Sequence, residues 1–192
     1  LMTICSGELR QIFDRHAVPH LHSEQAWKEA LVRYDKRILA KTASLFAAAT
    51  ESASVLSDAP PGATSSLREY GLLLGTGFQI IDDILDFQGD QEVLGKPVGS
   101  DLREGIVTLP VLYFLREYPD DESVAKVIRD GGDDGLVREV VAAIRESGAV
   151  ARAMERARDL IDQSQAALTS LPEGEPRKIM HELADFVVSR KV

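Results

Sequence analysis

The sequence has few of the residues on which several classes of protein depend. One cysteine, Cys5, occurs among 192 residues, so an internal disulfide framework and a cysteine-based zinc site are excluded. This cysteine usage fits a reducing cytoplasm. Lysine and arginine number 22 against 31 aspartates and glutamates, which gives a formal net charge of −9. Because nucleic-acid binding requires clustered basic side chains, the composition argues against a nucleic-acid partner.

Long apolar runs are absent as well. No stretch reaches the roughly 18 apolar residues that a transmembrane helix needs. The most apolar stretch, residues 71–85, is interrupted by Gln79, Asp82 and Asp83. The pattern of a secretory signal, a basic segment before an apolar one and a small-residue cleavage site, does not occur. We therefore expect a cytoplasmic protein without a membrane anchor.

Helical periodicity runs through nearly the whole chain, and the alternation of period two that is typical of strands is absent. The pattern, with its proline and glycine breaks, predicts helices over 1–13, 24–56, 65–87, 108–118, 122–129, 136–145, 149–171 and 175–188. The glycine-rich segment 88–105 is predicted to be an ordered loop. The expected fold class is therefore all-α.

The predicted helix at 65–87 carries an acidic arc. At 100° per residue, Gln79, Asp82, Asp83 and Asp86 fall within about 100° of one another, and the apolar residues occupy the other side. A face exposed to solvent is one interpretation. However, like charges three and four residues apart repel, and carboxylates near a helix C-terminus oppose the helix dipole. A bound divalent cation such as Mg²⁺, which prefers oxygen ligands, is the other interpretation. The spacing alone leaves both open.

Lys41 lies on an apolar stripe of the predicted helix at 24–56. It shares an arc of about 60° with Trp27, Tyr34, Ile38 and Leu45. A lysine that extends its charge past apolar neighbours to solvent is one interpretation. An anionic partner inside a cavity is the alternative.

Several ordered motifs are similar to those of one enzyme family. They are GFQIIDDILD at 77–86, LGKP at 94–97, GSDL at 99–102 and TLP at 108–110. This series closely resembles the second aspartate-rich region of trans-type polyprenyl diphosphate synthases. Gly7-Glu8 resembles part of the family's mid-chain helix, and Lys41-Thr42 resembles its diphosphate-binding pair. The resemblance extends over essentially the whole chain and corresponds to the latter part of that family.

The resemblance implies an antiparallel helical bundle of the isoprenoid-synthase type around a central cavity, in a homodimer. It implies the condensation of isopentenyl diphosphate with an allylic diphosphate, with Mg²⁺ neutralising the leaving diphosphate. The implied site comprises the metal ligands Asp82, Asp83 and Asp86, the catalytic and diphosphate-binding residues Lys41, Thr42 and Gln79, and the diphosphate contact Lys96.

One feature of the family is missing from the sequence. The first DDxxD motif and the Arg-Arg pair that follows it do not occur. We therefore expect residues 1–192 to form the C-terminal portion of a single polyprenyl synthase domain, inactive alone. Ile106 stands where many members have lysine, which resembles the branch that makes long-chain products. The alternatives are a non-catalytic partner subunit of a heteromeric prenyl synthase and, less favoured by the Lys-Thr pair, a terpene cyclase.

Overall fold

Helices make up most of the described chain, which comprises residues 2–88 and 98–190 of this computed structural model. They are α1 Met2–Asp14, α2 Glu24–Ile38, a π-helical turn Leu39–Ala43, α3 Ser44–Leu56, α4 Pro61–Gln88, α5 Ser100–Arg103, α6 Leu109–Glu117, α7 Glu122–Asp130, α8 Asp134–Glu146, α9 Ala149–Ala167, a 3₁₀ turn Leu168–Ser170 and α10 Glu175–Ser189. No strand occurs within these described residues. The all-α prediction is therefore confirmed.

Most predicted helix ends agree with the structure to within a few residues, and two differences have clear physical causes. α4 begins at Pro61, four residues before the predicted start at Ser65. Proline suits the first helical turn because its fixed φ is helical and its missing N–H would have no partner there. The second difference is α5, a short helix within the predicted loop. It follows Gly99, whose left-handed backbone (φ 77°) precedes the first turn.

The π-helical turn changes which face of α3 is buried. Tyr34 and Ile38 are buried as the apolar stripe predicts, but Leu45, placed on the same stripe, is 52% exposed. A π-helical turn accommodates one extra residue, which rotates the following helix by about 100°. The predicted position of Leu45 was wrong because the wheel assumes an uninterrupted α-helix.

The contacts divide the chain into two compact units, each with its own apolar core. The first contains the described residues of Leu1–Glu8, Ile38–Ile81 and Glu155–Arg190, and the second those of Leu9–Arg37 and Asp82–Met154. Fully buried side chains of the first unit include Tyr70, Leu74, Ile80, Ile81 and Leu168. Those of the second unit include Ile84, Phe87, Leu102, Leu109, Leu115, Ile128 and Ile144. Helix α4 contributes residues to both units.

Large apolar side chains at the surface lie mainly on three helices. On α1 they include Met2 and Phe13, on α3 Leu56 and on α10 Phe186. Across the ranges that the structure describes, no helix is at once long enough and apolar enough to pass through a membrane.

Candidate functional site

The π-helical turn that carries Lys41 and Thr42 contacts two helix backbones of the first unit. A Cβ added to Gly7 on α1 would lie 2.6 Å from the backbone nitrogen of Lys41. A Cβ added to Gly75 on α4 would lie 2.8 Å from the Cα of Ala43. Because real Cβ atoms do not approach so closely, glycine at these two positions permits the contacts. π-helical turns are frequent at functional sites.

Lys41 forms an ion pair with a residue of α1. Its Nζ lies 3.3 Å from Oε1 of Glu8, and the two side chains are 33% and 47% exposed, respectively. About two-thirds of the Lys41 side chain is therefore buried, and its ammonium group lies beside a carboxylate. The structure thus gives Lys41 an anionic protein partner, which neither interpretation of the apolar stripe had identified.

Thr42 and Gln79 are brought together although 37 residues separate them. The hydroxyl of Thr42 donates a hydrogen bond to Oε1 of Gln79 at 2.7 Å. This bond joins the π-helical turn to α4 within the first unit. Gln79 precedes Asp82 by three residues, which is about one turn of α4. The two residues that the resemblance assigned to the same role are therefore in direct contact.

In the second unit, Asp83 is hydrogen-bonded to a buried tyrosine. The hydroxyl of Tyr34 donates to Oδ2 of Asp83 at 2.8 Å. Both side chains are almost fully buried, with 2% and 4% of their surfaces exposed. A buried tyrosine hydroxyl needs a partner, but the sequence did not indicate which one. The bond ties α2 to α4.

Asp86 forms the cap of α5. Its Oδ1 accepts hydrogen bonds from the backbone N–H of Ser100 at 3.1 Å and from the Ser100 hydroxyl at 2.9 Å. Its Oδ2 accepts one from the backbone N–H of Asp101 at 3.0 Å. The backbone N–H of Gly99 also donates to the Asp86 carbonyl, at 2.8 Å. These bonds solvate a side chain that is only 1% exposed, so Asp86 holds the turn at 99–101.

Residues 1–144 match the sequence profile of the family described as polyprenyl synthetase. The chain belongs to the polyprenyl synthetase family. The resemblance found in the motifs is therefore confirmed. The match covers the Lys-Thr pair and all of α4, so the family assignment rests on the segments that contain the candidate site residues.

Known proteins similar to this polyprenyl synthetase chain agree with the assignment. Heptaprenyl diphosphate synthase component 2 of Geobacillus stearothermophilus is 36% identical over 193 residues, 99% of this chain and 56% of that protein. Heptaprenyl diphosphate synthase from Staphylococcus aureus has a TM-score of 0.88 at 31% identity, over 100% of this chain and 57% of its own. A polyprenyl synthase from Caulobacter crescentus CB15, complexed with calcium and isoprenyl diphosphate, has a TM-score of 0.87 at 38% identity, over 100% and 56%. The chain thus spans about half the length of these relatives.

The three aspartates that the resemblance assigned to the metal differ in their surroundings. Asp83 and Asp86 are buried and hold other segments, whereas Asp82 is half-buried. Within residues 2–88 and 98–190, no three His, Cys, Asp or Glu side chains are grouped so as to hold a metal ion. Metal binding by these polyprenyl synthetase residues therefore stays a prediction. Lys96, the predicted diphosphate contact, lies outside the described residues.

Sequence reasoning missed Arg37 as well as Glu8. The guanidinium of Arg37 donates to the carbonyl of Val107 at 2.6 Å and lies 5.5 Å from the ring centre of Tyr34. Arg37 is 7% exposed. It therefore connects the tyrosine that binds Asp83 to the segment leading into α6. The signal in the sequence was its position, one helical turn after Tyr34 and beside the apolar stripe, because an arginine on a buried face needs hydrogen-bond acceptors.

Proposed function

We propose that the whole protein is a Mg²⁺-dependent trans-prenyltransferase. It condenses isopentenyl diphosphate with an allylic diphosphate to form a longer polyprenyl diphosphate and inorganic diphosphate. The observation that carries this proposal is membership of the polyprenyl synthetase family across the Lys-Thr pair and the acidic helix. The Caulobacter relative with bound isoprenyl diphosphate supports the class of substrate. Since this chain spans about half of its relatives, the activity is proposed for the whole protein.

Lys41 is proposed to bind the diphosphate of the allylic substrate. Its side chain is 33% exposed, and a charge-assisted contact between an ammonium group and phosphate is among the stronger hydrogen bonds. Thr42, the residue after Lys41, is hydrogen-bonded to Gln79, so the side-chain dipoles of this pair are fixed. We assign to that pair the stabilisation of positive charge that develops on the allylic carbons as the carbon–oxygen bond breaks.

The metal is proposed to be Mg²⁺, with its main ligand in Asp82. The donor chemistry fits, because hard divalent cations prefer carboxylate oxygens and phosphates. A carboxylate has about four acceptor sites, so the hydrogen bond from Tyr34 does not prevent Asp83 from contributing. Asp86 already accepts three hydrogen bonds, two from Ser100 and one from Asp101, so we expect it to contribute least to metal binding. When bound, the metal would supply positive charge that offsets the negative charge of the leaving diphosphate.

The assembly is proposed to be a homodimer, with a heteromer as the alternative. The relative from Geobacillus stearothermophilus bears the name component 2, which favours a second kind of subunit. Mass measurement of the purified whole protein, alone and after co-expression with its genomic neighbours, distinguishes the two.

The expected product is a long-chain polyprenyl diphosphate. Two relatives are named for heptaprenyl products, which supports this expectation.

A single assay tests the proposed activity. The whole protein is incubated with radiolabelled isopentenyl diphosphate, Mg²⁺ and allylic primers of several lengths, and the products are separated by chromatography. Elongated product that disappears with EDTA is expected. If the whole protein gives no elongated product with any primer, the proposed activity is wrong.

Two variants test the assigned residues. Lys41→Ala and Asp82→Ala are each expected to lower kcat/KM by at least about a hundredfold, since the first removes a contact to the reacting diphosphate and the second removes a ligand of the metal. Lys28→Ala and Asp162→Ala are matched controls that remove the same charges from exposed helical positions. Near-normal rates for Lys41→Ala or Asp82→Ala would withdraw the role assigned to that residue.

A further inference from the structure

A carboxylate is already present at Lys41, where the proposed function places a diphosphate. Oε1 of Glu8 lies 3.3 Å from Nζ of Lys41. The pairing is set by the backbone, because Gly7 permits α1 to approach the backbone of Lys41 at a distance that a Cβ would prevent. Glu8, the next residue of α1, is therefore fixed beside Lys41 by helix packing within the first unit.

The exposure of this ion pair makes it exchangeable. A third of the Lys41 side chain and about half of the Glu8 side chain are exposed, and ion pairs of such exposure are weak. A diphosphate carries several negative charges and offers more acceptor oxygens than one carboxylate. It can therefore displace Glu8 from Lys41, but the ion pair between Glu8 and Lys41 must be broken when it binds.

We propose that Glu8 is a positioning residue that holds Lys41 between catalytic cycles and competes with diphosphate for it. The proposal rests on the role of Lys41 in the proposed function. Each condensation leaves inorganic diphosphate to be released. Glu8 recaptures the ammonium group as that product leaves, so it weakens diphosphate binding and speeds release.

Calorimetric titration of the whole protein with inorganic pyrophosphate, with and without Mg²⁺, tests the proposal. Glu8→Gln keeps the length and helix propensity of the side chain but removes its charge. It is expected to tighten pyrophosphate binding about threefold to fivefold, the upper part of the range for an exposed ion pair. In steady-state assays, KM for the allylic diphosphate falls by a similar factor and kcat does not rise. A residue with a merely structural role would not produce this division between KM and kcat.

Glu51→Gln is the matched control. Oε2 of Glu51 lies 3.3 Å from Nε of Arg68 in the same unit, with 44% and 57% of these side chains exposed. The substitution changes the net charge by the same amount at an ion pair of equal length. Its expected effect on pyrophosphate affinity is less than twofold.

A double-mutant cycle tests whether Glu8 acts through Lys41. In the Lys41→Gln background, Glu8→Gln is expected to lose most of its effect on affinity. An undiminished effect there would overturn the proposal, since it would show direct repulsion of the ligand by Glu8.

Failure of this inference is distinguishable from failure of the proposed function. If the wild-type protein binds pyrophosphate and Glu8→Gln binds no tighter than Glu51→Gln, only the role of Glu8 is overturned. If the wild-type protein does not bind pyrophosphate, or if Lys41→Gln binds as well as wild type, the role of Lys41 and the inference are overturned together.

Discussion

Substitution of Asp86 separates two roles that a carboxylate on the acidic face of α4 can have. As a ligand for a cation, Asp86 adds repulsion to Asp82 and Asp83 when no metal is bound, so its neutralisation would stabilise the fold. As the cap of α5, it accepts hydrogen bonds from Ser100 and Asp101, so its neutralisation would destabilise the fold. The sign of the change in unfolding free energy, measured in EDTA, therefore decides between the two roles.

The contacts of Asp86 set the expected magnitude. Asp86→Ala removes all three hydrogen bonds to the side chain, and bonds to a charged group contribute about 1.5–3 kcal/mol each. The donors of Ser100 and Asp101 are half-buried, so water replaces part of that contribution. Relief of the repulsion between Asp86 and the other two aspartates offsets about 0.5 kcal/mol of this loss. We expect a net loss of about 2–4 kcal/mol.

Asp86→Asn is expected to lose roughly half as much, about 1–2 kcal/mol. Its remaining oxygen still accepts from Ser100, whereas its amide cannot accept from the Asp101 N–H. Ser100→Ala removes only the hydroxyl bond and is expected to lose about 1 kcal/mol.

Urea unfolding followed by circular dichroism, in EDTA, measures these differences if the m-values stay equal. Asp82→Asn is the matched control, since it removes the same charge from the same face of α4. It is expected to change stability by less than half as much as Asp86→Asn. If Asp86→Asn is as stable as wild type or more stable, the assignment of Asp86 as a cap is refuted.

Two further predictions concern the first unit. Gly7→Ala places a Cβ 2.6 Å from the backbone nitrogen of Lys41 and is expected to lower the free energy of unfolding by about 1–3 kcal/mol. The control Gly62→Ala places its Cβ where no atom lies within 4 Å, and it is expected to raise the free energy of unfolding by up to about 1 kcal/mol. Urea unfolding measures both, and equal stabilities of the two variants would contradict this prediction. The Tyr70 hydroxyl donates to the Met180 carbonyl at 2.8 Å, and burial raises the pKa of Tyr70 to about 12. Since the unfolded chain ionises first, near pH 10, stability is expected to fall by on the order of 2 kcal/mol between pH 10 and 12. Tyr70→Phe should lack that fall, and parallel pH profiles would refute the assignment.

The helices were predictable because their signals are local. Apolar periodicity gave their approximate extents, and the proline-containing break that follows Leu56 gave the end of α3. The π-helical turn at Leu39–Ala43 was not predictable in this way, because the backbones that contact it at Gly7 and Gly75 come from distant parts of the chain. α5 was missed for the same reason, since its cap, Asp86, precedes it by 14 residues.

The candidate site was predictable as residue identities but not as contacts. The resemblance identified Lys41 and Asp83, because both lie within motifs that can be recognised from the order of residues alone. Their partners belong to other helices: Glu8 pairs with Lys41, and Tyr34 binds Asp83 across a separation of 49 residues in the sequence. Helical wheels rank positions on one helix and contain no information about which neighbouring helix supplies a donor or an acceptor.

The contacts of α4 in the second unit also bear on how loss of activity is interpreted in this family. Two of its aspartates tie α4 to neighbouring segments, Asp83 through Tyr34 and Asp86 through α5, while Asp82 is half-buried. If Asp82 is a metal ligand, as proposed, a helix that is anchored on both sides pre-organises it, so it loses little conformational freedom when a metal binds. Substitution of an anchor would then lower activity by displacing Asp82, without removing a ligand. Activity alone therefore gives the same result for a ligand and for an anchor, whereas stability in EDTA gives opposite signs.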